Sequence, residues 1–162
     1  MPTAPPGAPE APEPVALEAE EREIVAAIAA AYAEALPQGL AARVGALADA
    51  AREGTVPPDL VGVLERVCAV ALETGRAREL GRAEAECVLA AVSRRTPAGR
   101  RAARAVEEVN RALAPLAGRR LRSVRVATPL PGRATIAIEV EGLALSLAVG
   151  PDGVLVQSLA AG

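Results

Sequence analysis

The 162-residue chain contains no histidine, lysine, phenylalanine or tryptophan, and Tyr32 is its single aromatic residue. Without histidine, Ser-His-Asp and Cys-His catalysis are unavailable, as are metal sites built on imidazole. Without lysine there is no Schiff-base nucleophile and no P-loop lysine for phosphates. No Gly-x-Gly-x-x-Gly run follows a strand pattern, so a dinucleotide fingerprint is missing as well. The shortage of aromatics removes the platforms on which unpaired bases stack.

Two cysteines, Cys68 and Cys87, lie nineteen positions apart. They cannot alone make a zinc site, and their places on apolar helix faces predict two buried thiols rather than a disulfide. No stretch reaches the roughly 18 consecutive apolar residues of a membrane span. No basic segment followed by an apolar one opens the chain, so a cytoplasmic protein without membrane contact is expected. The carboxylate pairs Glu84/Glu86, Glu107/Glu108 and Glu139/Glu141 read as solvated faces. No residue is singled out as catalytic, cofactor-binding or metal-ligating, and the expectation is a protein that is not an enzyme and needs no cofactor.

What is abundant is small and aliphatic. Hydrophobic residues make up 51% of the chain, so the core must be built from Leu, Val, Ile and Ala, whose contacts each bury little area. Residues 1–16 are rich in Pro and Ala, a composition that favours an extended, unpacked tail. A helical region is expected over 17–118. Its first helix starts at Glu18 and would bury Ile24, Ala27, Ile28, Ala31 and Ala35 at helical spacing. The second, over 39–53, would bury Leu40, Val44 and Leu47. The third opens at Pro57-Pro58-Asp59 with the stripe Leu60, Leu64, Val67, Cys68, Ala71 and Leu72, and Gly75 is its expected C-cap. The fourth, over 77–93, would bury Leu80, Cys87, Val88, Ala91 and Val92. The fifth has Thr96 as N-cap and Pro97 in its first turn, with Ala102, Val106, Val109 and Leu113 facing inward.

After Gly118 the apolar period changes from 3.6 to 2, predicting strands over 121–127, 133–140, 143–149 and 154–159. Glu141-Gly142 reads as a two-residue hairpin turn and Gly150-Pro151-Asp152-Gly153 as a second turn. That register sets Val140, Ile138 and Ile136 opposite Leu143, Leu145 and Leu147, so one face is uniformly large and apolar and is expected to dock on the helices. The other face, with Ala137, Ala144, Ser146 and Ala148, is small and weakly polar, and suits contact with a second sheet. The fold class expected is α+β: about five helices, then a four-stranded antiparallel meander over 119–162.

Charge is unevenly placed. Residues 1–93 carry seven Arg against fifteen acids, whereas 94–133 carry eleven Arg against only Glu107 and Glu108. These two acids lie at helix-pair spacing from Arg104 and Arg111. Arg94, Arg95, Arg100, Arg101, Arg119, Arg120, Arg122 and Arg125 have no such local acid. Arg100 and Arg101 also fall at a helix start, where free amides and guanidinium groups together suit an anion. The basic segment can be neutralised by the acidic helices, dock on an acidic protein, or bind a polyanion.

The run Leu80-Gly81-Arg82-Ala83-Glu84-Ala85-Glu86-Cys87-Val88-Leu89 slightly resembles the opening helix of winged-helix DNA-binding domains. The resemblance covers about ten residues and assigns no functional residue. The leading expectation is a non-catalytic accessory or assembly subunit that forms a homo-oligomer, favouring a dimer, or joins a larger acidic partner. The alternatives are a nucleic-acid-binding regulator using residues 94–125, and a carrier of a small apolar ligand between helices and sheet.

Overall fold

In the computed structural model, residues 12–79, 84–151 and 153–161 are described, and they form an α+β fold: helices first, then a four-stranded antiparallel sheet. The chain divides into two compact units after Arg100. The change from helices to sheet falls near residue 118, as expected, whereas the division into units falls earlier, inside a helix.

The first unit opens with a two-residue strand, β1 (Val15–Ala16), followed by α1 (Ala19–Ala35), α2 (Gln38–Glu53), β2 (Thr55–Val56), α3 (Pro58–Glu73), α4 (Arg76–Glu79) and α5 (Ala85–Arg95). Val15 and Ala16 were expected in the unpacked tail. Instead Val15 pairs opposite Val56 and both side chains are buried, and this burial offsets the entropy of ordering the segment. Residues 1–11, the rest of that tail, lie outside the described residues. The Glu18 amide donates to Glu21 Oε2 at 2.8 Å, satisfying one free group at the start of α1. Pro37 ends that helix, and Pro58 stands in the first turn of α3.

The core of this unit gathers Ile24, Val25 and Ile28 of α1, Leu47 of α2, Leu60, Leu64, Val67 and Cys68 of α3, and Leu89 and Val92 of α5. Buried alanines between them (Ala29, Ala51, Ala71, Ala85) let the helices approach closely. The buried face of α1 differs from the expected one: Val25, Ala26 and Ala29 are inside while Ala27 and Ala35 are exposed. A helix with alanine on every side has a weak apolar bias, and the β-branched Val25 decides its rotation. The expected fourth helix is two pieces, α4 and α5, with residues 80–83 between them outside the described set. Because α5 buries Ala85, Leu89 and Val92 at i, i+4 and i+7, Cys87 points away and is exposed. The expectation of a second buried thiol fails for that reason. Cys68 is buried as expected.

The last helix, α6 (Pro97–Leu113), begins in the first unit and continues into the second. Its cap is as expected: the buried Thr96 accepts the Gly99 amide on its hydroxyl at 3.2 Å and donates to the Ser93 carbonyl at 2.8 Å. Only Pro97 is fully buried on this helix. Ala102 and Val106, expected inside, are exposed, while Ala105, Val109, Ala112 and Leu113 are half-buried.

The second unit continues with a 3-10 turn (Ala114–Leu116) and the strands β3 (Leu121–Leu130), β4 (Arg133–Val140), β5 (Leu143–Gly150) and β6 (Gly153–Ala161) in the order β3-β4-β5-β6. Gly142 turns the β4–β5 hairpin with φ of 75°, a conformation open to glycine at little cost. Val140, Ile138 and Ile136 stand opposite Leu143, Leu145 and Leu147, as the turn position predicts. Cross-strand partners share a face, so Val124 and Val126 of β3 join this large face through Ile138 and Ile136. Val156 and Leu159 of β6 join it through Leu147 and Leu145.

Candidate association surface

The arginine-rich segment is less free than its charge suggests. Arg95 pairs with Glu21, tying the end of α5 to the start of α1. Arg100 donates through Nη1 to the Arg95 carbonyl at 2.7 Å. Arg119 donates through Nε to the Pro115 carbonyl at 2.9 Å and through Nη1 to the Glu141 carbonyl at 2.7 Å, so it braces the β4–β5 turn. Arg94, Arg101, Arg120, Arg122 and Arg125 are exposed.

The anion site expected at the start of α6 is already occupied from within the chain. Glu65 of α3 accepts the Ala98 amide at 2.8 Å, and Thr96 takes the Gly99 amide. A carboxylate at a helix N-terminus does what an external anion would have done. Arg100 and Arg101 therefore do not flank a vacant amide cluster.

The other predicted site residues are brought together. Ala137 stands opposite Ser146, Ala144 opposite Glu139, and Ala148 opposite Thr135, all on the small face of the sheet. Ser146 donates its hydroxyl to Gln157 Oε1 at 3.1 Å, and Ser123 donates to Glu139 Oε2 at 2.9 Å. Ala137, Ala144, Ser146 and Ala148 are half-buried.

The larger signal lies at the outer strands. Ten large hydrophobic side chains among the described residues are exposed, and eight belong to the second unit. On the large face the centre is closed: Val140, Leu145 and Leu147 are buried. The flanks are open, with Val124 and Val126 on β3 exposed by 52% and 66%, and Val156 and Leu159 on β6 by 36% and 47%. Leu155 of β6, opposite Ala148 on the small face, is also exposed. Both outer strands present an unpaired backbone edge. They differ in protection. β3 carries Arg122, Arg125 and Pro129 and two register shifts, features that blunt an edge. The described part of β6, Gly-Val-Leu-Val-Gln-Ser-Leu-Ala-Ala, has a single register shift, at Gln157, and neither charge nor proline, and only Val154 in it is not exposed.

The remaining two exposed hydrophobics, Leu36 and Leu40, are in the helical unit. Leu40 was expected inside. Both line a groove of about 550 Å³ between α1, α2 and α3, with Tyr32, Arg43, Val44, Gly62, Val63, Arg66, Val67 and Val70. No periodicity argument marked this groove; the one available signal was Tyr32, the lone aromatic, four positions before Leu36.

The titration of Cys68 is strongly shifted. Burial, assisted by the negative charge of Glu65, pushes its thiol up to about 12, so it is protonated and inert at neutral pH. Among the described residues no cluster of three or more potential ligands could hold a metal ion, and no helix is long and apolar enough to cross a membrane. No family model, curated protein or solved structure matches the chain.

Proposed function

We propose that the protein is a non-catalytic assembly subunit that pairs with a second copy of itself along β6. The observation that carries this reading is the asymmetry of the sheet edges. A nine-residue strand that is exposed, uncharged and free of proline is the edge that natural sheets otherwise take care to protect. Antiparallel pairing of β6 with β6 of a second copy across a twofold axis satisfies both edges at once. It produces one eight-stranded sheet from two four-stranded ones. Val156 of one copy then meets Leu159 of the other on the large face, twice across the axis, covering the open flank.

The absence of charge on β6 favours a like partner, since no ionic feature there selects an unlike one. The pairing also extends the face that carries Ala137, Ala144, Ser146 and Ala148 across both copies. β3 becomes the two outer edges, where the exposed Arg122 and Arg125 are placed to meet an acidic partner protein. The test compares Leu159→Lys on β6 with Val126→Lys on β3, each exposed in the single chain, by native mass spectrometry. The β6 variant becomes monomeric and the β3 variant stays dimeric. Dissociation by Val126→Lys alone, or a Leu159→Lys variant that dimerises normally, would overturn the assignment.

A further inference from the structure

The groove between α1, α2 and α3 belongs to the helical unit and plays no part in pairing along β6. Its walls are aliphatic, and its only charged lining residues, Arg43 and Arg66, are both positive and exposed. Leu36 and Leu40 are the only large hydrophobics exposed among the described residues of this unit, at 37% and 58%, and both line it. Tyr32 lines it too, and its hydroxyl oxygen is buried with no hydrogen-bond partner among the described residues. A buried hydroxyl without a partner among the described residues is uncommon in a folded protein. Gly62 contributes bare backbone: a Cβ built there meets nothing within 4 Å. The volume, about 550 Å³, lies within the range of small-molecule sites.

We propose that this groove binds a long-chain carboxylate, with its alkyl chain against Leu36, Leu40, Val63 and Val67 and its carboxylate at the guanidinium groups of Arg43 and Arg66. Charge complementarity selects the anion. Arg43 keeps donors to offer, since among the described residues only its Nη2 is engaged, donating to the Asp59 carbonyl at 3.2 Å. A planar guanidinium matches a carboxylate with two parallel hydrogen bonds. The aliphatic walls select an unbranched chain over a polar or aromatic body, and the open side of the groove lets the head group remain hydrated.

The experiment titrates the intact protein with a dansyl-labelled undecanoic acid below its micelle concentration. Dodecanoate, dodecanol and dodecylammonium then compete for the probe. The expected result is saturable binding of one probe per chain, displaced by dodecanoate at least tenfold more effectively than by dodecylammonium. In Arg43→Gln/Arg66→Gln that preference over dodecylammonium disappears. Gly62→Leu fills the groove and removes probe binding, while circular dichroism and the urea midpoint show the chain still folded. Equal displacement by dodecanoate and dodecylammonium would overturn the proposal. So would probe binding that survives Gly62→Leu, or no saturable binding at all. A dimer that Gly62→Leu dissociates would assign the groove to a second copy and overturn it equally.

Discussion

An alanine at position 99 would drive its Cβ into the Ser93 carbonyl oxygen and to 2.7 Å from Arg94 Cα. Both partners are backbone, so no side chain can swing away, and the end of α5 must separate from the start of α6. Among the bonds that hold the start of α6 are Gly99 amide to Thr96, Thr96 hydroxyl to Ser93 of α5, and Ala98 amide to Glu65 of α3. Losing the Thr96 cap costs about 1 kcal/mol. Losing the charge-assisted bond to Glu65 costs about 1.5–3 kcal/mol, because a carboxylate acceptor roughly doubles an ordinary hydrogen bond. Against this, alanine replaces glycine in a helix with a gain of about 1 kcal/mol. The net expectation is destabilisation by about 2 kcal/mol. Urea unfolding followed by far-ultraviolet circular dichroism measures it, and with a slope of about 1–2 kcal/mol/M the midpoint should fall by about 1–2 M. Gly62→Ala, on the open side of α3, is the control and should stabilise by up to about 1 kcal/mol. A Gly99→Ala protein within about 0.5 kcal/mol of the natural one would refute the close approach of α5 and α6, a tolerance set by ordinary surface substitutions.

Other consequences follow from particular residues. Iodoacetamide at pH 8 should modify the exposed Cys87 in the native protein and reach Cys68 only on unfolding, giving one modified thiol and then two by mass. Because the Cys68 thiol is held at about 12 in the native state against 9.0 for a free group, its protonation favours the folded chain fully below pH 9. That contribution is lost between pH 9 and 12, at about 1.4 kcal/mol per pH unit. The stability cost of Cys68→Ala should therefore shrink as pH rises through that window. Leu64→Ala, at a fully buried position in α3, should cost about 2–5 kcal/mol in the same urea assay. Arg119→Ala should lower the stability of the sheet by about 1 kcal/mol, since two exposed hydrogen bonds to backbone carbonyls go with it. Arg122→Ala should change stability by less than about 0.5 kcal/mol, which amide hydrogen exchange in β3 and β4 can distinguish.

The sheet was the most legible part of the sequence, because turn chemistry and alternation point the same way. Glu141-Gly142 sets the register, and one correct turn places every pair from Val140 and Leu143 onward. The boundaries of α1, α2 and α3 were legible for a related reason: Pro37, Pro57 and Pro58, together with Gly54, interrupt the chain at their ends. Rotation of the helices was harder to read. In α1 alanine occupies both Ala27, outside, and Ala29, inside, so burial depends on packing partners distant in sequence. The pairing of Val15 with Val56 spans forty residues and has no local signature. The filling of the α6 N-terminus by Glu65 comes from an element thirty-three positions away. Of the candidate site, the clustering of Ala137, Ala144, Ser146 and Ala148 was visible from alternation. The unequal protection of β3 and β6 emerged only once their order in the sheet was known, and the groove at Leu36 and Leu40 required three helices to be placed.

The claim that this is a self-assembling subunit is tested most directly by the mass of the untagged protein in sedimentation equilibrium, from low to high micromolar concentration. Pairing along β6 predicts a reversible monomer–dimer equilibrium that ends at twice 16.4 kDa and no higher, since a twofold edge contact closes on itself. A mass of 16.4 kDa throughout, or growth past the dimer with rising concentration, would contradict it.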